Sequence, residues 1–198
     1  MSRLILASSS GSRQSMLQNA GVSFESAPVR IDEDAIRRSL EAEEASPRDI
    51  ADALAEFKAR KGAEKSPGHL VLGSDQILAL KGKIFAKPES RDEAVAHLRS
   101  LSGQTHHLYS AAVIYEDAKP VWRAVGSARM SMHDLSDKEI DTYFEQAWPD
   151  VEGCVGAYQA EALGGQLFSR IDGDWFSVLG LPLLQLLSYL RTRGMLSS

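Results

Sequence analysis

The sequence predicts an α/β protein built on a mixed, strand-rich central sheet with helices on both faces. Three observations carry this. Short apolar runs alternate with capped helical segments in the N-terminal half; two long strand-like stretches, 104–116 and 121–133, then follow in succession; and two Ser-x-x-Glu patterns bracket that pair, marking helices on either side. Taken in order, residues 3–8 (RLILAS) read as a buried strand, because a short apolar run meets a Ser/Gly cluster. A helix should follow over 12–20, with Gly21 suited to the position just past its end. Residues 22–29 read as a second strand. Ser46-Pro47 opens a strong helix, since Ser caps well and Pro needs no N–H partner at the first turn; Ile50, Leu54 and Phe57 form its apolar face.

Further along, 69–74 reads as a strand and 77–86 as a hairpin around Lys81-Gly82. Ser90 with Glu93, and Ser136 with Glu139, form capping boxes. Their helices turn Ala94, Leu98 and Leu101, and Ile140, Tyr143 and Phe144, inward. Residues 166–171 read as a late strand and 181–191 as a final helix. The flexible segments fall at 41–46, 66–69 and 148–152.

The composition bounds the function. The chain has 198 residues, 43% hydrophobic and 25% charged, enough for one domain or two lobes sharing a core. A net charge of -5 argues against a broad nucleic-acid surface but allows a small site for one polyanion. Cys154 is the one cysteine, so no intrachain disulfide forms, which fits a reducing cytoplasm. No secretory signal is recognised, and the longest apolar stretch, 178–190, contains Gly, Pro, Gln and Ser and falls short of the ~20 residues of a membrane span. That stretch reads as a buried helix, or else as a dimer surface.

Four polar clusters stand where strands end. Ser8-Ser9-Ser10-Gly11-Ser12-Arg13 lies between a strand and a helix, where small residues let N–H groups approach an anion and Arg13 can fork onto phosphate; it reads equally as a Ser-rich cap with a surface Arg. Asp32-Glu33-Asp34 reads by itself as a solvated turn, or as a source of hard oxygen ligands for a metal. Gly73-Ser74-Asp75-Gln76 closes an apolar strand, placing Asp75 to point into a crevice, against the alternative of an Asx-turn. Lys58 borders an apolar helix face, as a snorkelling lysine does, and Lys87 is held extended by Pro88, a presentation that suits a phosphate clamp or a plain loop. The five histidines make no ligand set; His106 and His107 should point to opposite faces of a strand.

Together these clusters resemble the Maf family of nucleotide pyrophosphatases. The similarity runs almost end to end: Leu4 to Ser8 with Arg13, Ile31-Asp32-Glu33, Lys58-Ala59, Gly73 to Gln76, Ala86-Lys87-Pro88, Leu101 to His106, Val155 to Tyr158, and Val178 to Pro182. The resemblance implies an elongated α/β/α, Maf/ITPase-like fold with its site in a cleft between two lobes, and residues 1–198 as a single two-lobed domain. It implies a homodimer, and a hydrolase that splits a nucleoside triphosphate into the monophosphate and pyrophosphate. At the matching positions Asp75 is the catalytic base, Ser8, Arg13, Lys58 and Lys87 bind phosphate, and Glu33 with Asp75 holds a divalent cation such as Mg²⁺, Mn²⁺ or Co²⁺. Substrate specificity falls to Ser12, Gln76 and Glu161. Gln76 and Glu161 resemble the branch acting on 7-methyl-GTP, where the dTTP/UTP branch carries Thr and Gln. Ser12, Gly11 and Gln14 depart from that branch's Trp, Pro and basic residue, which leaves base stacking to another aromatic such as Tyr158 or Trp175. The alternative is a nucleotide-binding regulator of cell division with little turnover.

Overall fold

The computed structural model describes residues 3–196. Its elements are β1 (Leu4–Leu6), α1 (Gly11–Asn19), β2 (Phe24–Ser26), α2 (Glu33–Ala42), α3 (Pro47–Ala63), β3 (Leu70–Leu80), β4 (Lys83–Phe85), α4 (Arg91–Leu101), β5 (Thr105–Glu116), β6 (Lys119–Met132), α5 (Asp137–Ala147), β7 (Phe168–Gly173), α6 (Trp175–Val178) and α7 (Leu183–Thr192). The strands form one sheet in the order β2-β1-β3-β5-β6-β7, with β4 folded back on β3. β1 is parallel to β2 and β3, and all other pairings are antiparallel, so the sheet is mixed as expected.

Alternation along β3 and β5 sorts the core. Val71, Ala111 and Val113 face α3, where Ile50, Leu54, Ala55 and Ala59 cover them. Leu70, Leu72, Ala112 and Ile114 face the other way, against Leu17 of α1 and Leu186 and Leu190 of α7. Further along that second face, Leu78 and Leu108 pack with α4 and α5 through Leu98, Leu101, Ile140 and Phe144. Helices therefore lie on both faces of the sheet.

Several expected elements are redrawn. β3 does not end at Ser74: it runs through Gly73-Ser74-Asp75-Gln76 to Leu80, because β5 pairs it residue for residue from Leu70 to Ala79. Asp75 therefore sits mid-strand. The 22–29 strand shrinks to three residues, since Pro28 has no N–H to offer a ladder. The acidic run 32–34 is no solvated turn but the start of α2, capped by Asp32, whose Oδ1 accepts from the Ala35 amide at 2.9 Å. At the Ser90 cap the box is half made: Ser90 Oγ accepts from the Glu93 amide, but Glu93 Oε2 accepts from the Glu89 amide one residue early. The box at Ser136 and Glu139 is complete. Phe57 is only half-buried, and Lys58 takes its place on the covered face of α3. Among the described residues no helix is long and apolar enough to cross a membrane.

Candidate active site

All nine sequence-predicted site residues line one cleft of 1260 Å³: Ser8, Ser12, Arg13, Glu33, Lys58, Asp75, Gln76, Lys87 and Glu161. Ser8 follows β1 in the loop whose last residue, Ser10, caps α1 by accepting from the Arg13 amide. Ser8 Oγ accepts from the Ser10 amide at 3.2 Å and from Arg13 Nη1 at 3.2 Å. A third Arg13 contact, Nε to the Gly180 carbonyl at 2.9 Å, fixes the guanidinium from the other side of its fork. Burial pulls the Arg13 pKa down while Asp75 and Glu33 push it up; the group remains a cation at working pH.

Lys58 is no snorkelling lysine. It is 8% exposed, and its Nζ lies 2.7 Å from Asp75 Oδ1 and 2.8 Å from Glu33 Oε1. The spacing explains why: Ile50, Leu54 and Lys58 recur every four residues on the covered face of α3. Gly73 lets α3 come this close, because a Cβ there would run into the Ala55 carbonyl and the Ala59 amide. Two residues on, Asp75 meets Lys58 on the same face of β3. Burial drives the Asp75 carboxyl above its ordinary range, with Lys58 and Arg13 opposing. At Glu33, which is half-exposed, burial also pushes upward, but Lys58, Lys87 and Arg13 outweigh it and hold the carboxyl below its usual range. Lys87 stands exposed on the cleft rim between β4 and α4.

Glu33 and Asp75 thus flank one ammonium, which occupies the place a cation would take between two carboxylates. Among the described residues no group of three or more His, Cys, Asp or Glu side chains converges as an all-protein metal cage. Two carboxylates in a cleft that also holds Arg13 and Lys87 fit a hard ion completed by substrate oxygens and water.

The far end of the cleft is lined by Phe85, Leu108, Tyr158, Gln159 and Glu161. Tyr158 is 6% exposed, with its hydroxyl 2.7 Å from His106 Nε2. Trp175, the other aromatic named for stacking, does not line the cleft; as the first residue of α6 it is 42% exposed elsewhere. His106 and His107 do point to opposite faces, the first fully buried and the second half-exposed. Sequence reasoning missed the contribution of residues 177–180, whose carbonyls accept from cleft side chains. The available signal was Asp174-x-x-Ser177, a helix cap directly before Gly180.

The model of the Maf-like protein family matches residues 3–193. The chain belongs to the Maf family. It is 73% identical over its full length, and that of its relative, to a protein named nucleoside triphosphate pyrophosphatase 1 from Jannaschia sp. (strain CCS1). It is 54% identical, over 96% of both chains, to a nucleoside triphosphate pyrophosphatase from Roseobacter denitrificans. Among solved structures, a HAM1 protein from Coxiella burnetii superposes with a TM-score of 0.52 at 15% identity, covering 97% of this chain and 100% of that one. That likeness concerns the fold alone, the α/β architecture expected from the sequence.

Proposed function

We propose that this Maf protein is a nucleoside triphosphate pyrophosphatase that cleaves between the α and β phosphates, releasing a monophosphate and pyrophosphate. The observation that carries the reading is the convergence, in one cleft, of three cationic side chains with a Lys58-bridged pair of carboxylates. The names of the full-length relatives support it.

In this reading Arg13, Lys58 and Lys87 neutralise the triphosphate, with Ser8 and the amides opening α1 adding donors. Glu33, with Asp75, would hold a divalent cation, Mg²⁺, Mn²⁺ or Co²⁺, by oxygen ligation. Such an ion, when bound, neutralises charge developing on the phosphates. Asp75 Oδ1 is engaged by Lys58, and the second carboxylate oxygen takes the proton of a water aimed at the α-phosphorus. An upward-shifted carboxyl is the better base for that transfer. Little covalent work is asked of the protein: fixed charges and orientation do most of it. At the far end Glu161 faces the base, and a carboxylate, which only accepts, favours guanine there, whose N1–H and N2 amine both donate. A modified guanine nucleotide such as 7-methyl-GTP fits the same logic. The whole chain acts as one domain of two lobes, and we extend the reading to a homodimer: Leu184 on α7 stays 56% exposed beside otherwise buried leucines.

The test is a nucleotide panel of 7-methyl-GTP, GTP, UTP, dTTP and CTP, with Mg²⁺ or Mn²⁺ and after chelation, analysed for products. The expected result is monophosphate and pyrophosphate in equal amounts, lost on chelation and restored by metal. Release of diphosphate and orthophosphate contradicts the reading, as does saturable binding without product, the behaviour of a regulator. A light-scattering mass twice that of one chain is expected for the dimer.

A further inference from the structure

The turn between α6 and α7 is held in an unusual way. Four consecutive carbonyls each accept a hydrogen bond from a side chain of another element. Ser177 O accepts from Ser110 Oγ at 2.7 Å and from Gln76 Nε2 at 3.1 Å, and Val178 O from Gln76 Nε2 at 3.0 Å. Leu179 O accepts from Ser12 Oγ at 2.9 Å, and Gly180 O from Arg13 Nε at 2.9 Å and Ser74 Oγ at 3.3 Å. These carbonyls lie at and just past the end of a four-residue helix, where backbone partners run out; of the four, Ser177 O also accepts from the Gly180 amide at 3.3 Å. The seat beneath them is a row across three strands: Gln76 pairs in register with Ser110, and Ser110 with Gly126. Any Cβ at Gly126 would strike the Ser177 hydroxyl, so the turn lies directly on the sheet. Gly180 closes the turn at φ +105°, a conformation other residues rarely adopt, and this aims its carbonyl at Arg13.

Gln76 follows Asp75 on β3 and so faces the opposite side of the sheet from the Lys58–Asp75 pair. Its Nε2 is shared among three acceptors, Ser110 Oγ, Ser177 O and Val178 O. An amide nitrogen has two hydrogens, so none is left to offer a substrate. Ser12 likewise gives its hydroxyl hydrogen to Leu179.

Building on the pyrophosphatase reading, we infer that Gln76, with Ser12, is a positioning residue for the phosphate site: it pins the 177–180 turn, whose Gly180 carbonyl fixes the Arg13 guanidinium. Its amide N–H groups do not read the base. The consequence is separable from specificity. A base-reading residue alters the ranking of nucleotides and is indifferent to a ligand without a base. A residue that sets Arg13 alters every polyphosphate alike.

The experiment compares wild type with Gln76→Met, which keeps the length but removes the donors, using calorimetric binding of inorganic tripolyphosphate and kcat/KM across the nucleotide panel. Expected is a loss of roughly ten- to a hundredfold in kcat/KM, the same for every base, with tripolyphosphate binding weakened in parallel. In the Arg13→Lys background, which lacks the fork that Gly180 orients, Gln76→Met should cost much less. A changed base ranking with unchanged tripolyphosphate binding overturns the inference, as does failure of the wild type to bind tripolyphosphate. If Gln76→Met does not fold, Ser12→Ala on the half-buried start of α1 is measured in the same way, and a smaller base-independent loss is expected. Tripolyphosphate binding needs no turnover, so wild-type binding without pyrophosphate release defeats the pyrophosphatase reading while still testing the turn.

Discussion

Lys58 is the residue on which the site balances. Its ammonium has two carboxylate partners and almost no contact with water, so its removal strands Asp75 as an uncompensated buried charge. Lys58→Met should lower stability by about 3 kcal/mol in urea titrations at neutral pH, and the double variant with Asp75→Asn should recover part of that loss. A loss below about 1 kcal/mol would mean that the pair is not buried as described. His106 offers a second check at this scale. Burial pulls its pKa down to about 4, so the folded state resists protonation that the unfolded chain accepts near its ordinary value. The sign follows: stability is full above about pH 6.5 and falls as the pH drops toward 4. Between pH 7 and pH 5 the wild type should lose about 2 kcal/mol from this group. His106→Gln should lack that part of the slope, read by urea midpoints at both pH values. From the sequence, opposite faces for His106 and His107 were legible because strands alternate. The pairing of Lys58 with Asp75 was not, because it depends on how closely α3 approaches β3.

At the scale of elements that approach is set by a missing side chain. Gly73 gives α3 its seat on β3, and Gly73→Ala must push the helix off the sheet or bend the strand. We expect about 3 kcal/mol of destabilisation, together with loss of activity out of proportion to residual folding, because Lys58 moves away from Asp75. Circular dichroism melts and pyrophosphate release on the same preparation check both parts. Elements with strong local signals were readable in advance: the Ser46-Pro47 start of α3, the Ser136–Glu139 box of α5 and the long β5–β6 pair. Two were not. β3 looked finished at Ser74 because Ser74-Asp75-Gln76 is polar, yet ten-residue pairing with β5 satisfies that backbone and carries it through. α2 was hidden because three carboxylates read as solvated, although Asp32 caps the helix and acidic groups favour a helix N-terminus. The contacts of the turn at 177–180 were not legible for a different reason: its local cap could be read, but its partners Ser12, Arg13, Gln76 and Ser110 lie 67 to 167 residues away.

At the scale of the whole molecule, the sheet brings distant segments to one cleft. β1 leads into the Ser8 loop and α1 delivers Arg13, α2 and α3 deliver Glu33 and Lys58, and β3 carries Asp75 between them; the segment after α5 contributes the wall with Tyr158 and Glu161. The order of motifs along the chain made the family legible, while their convergence needed the fold. The central claim is that Asp75, beside Lys58 and Glu33, drives hydrolysis of a bound nucleoside triphosphate. The most direct measurement is pyrophosphate release by Asp75→Asn against wild type at saturating nucleotide and Mg²⁺ or Mn²⁺, with equal folding verified by thermal melts. The account predicts a fall in kcat of about a thousandfold or more, with the nucleotide still bound. Turnover within a few-fold of wild type from the folded variant would contradict it.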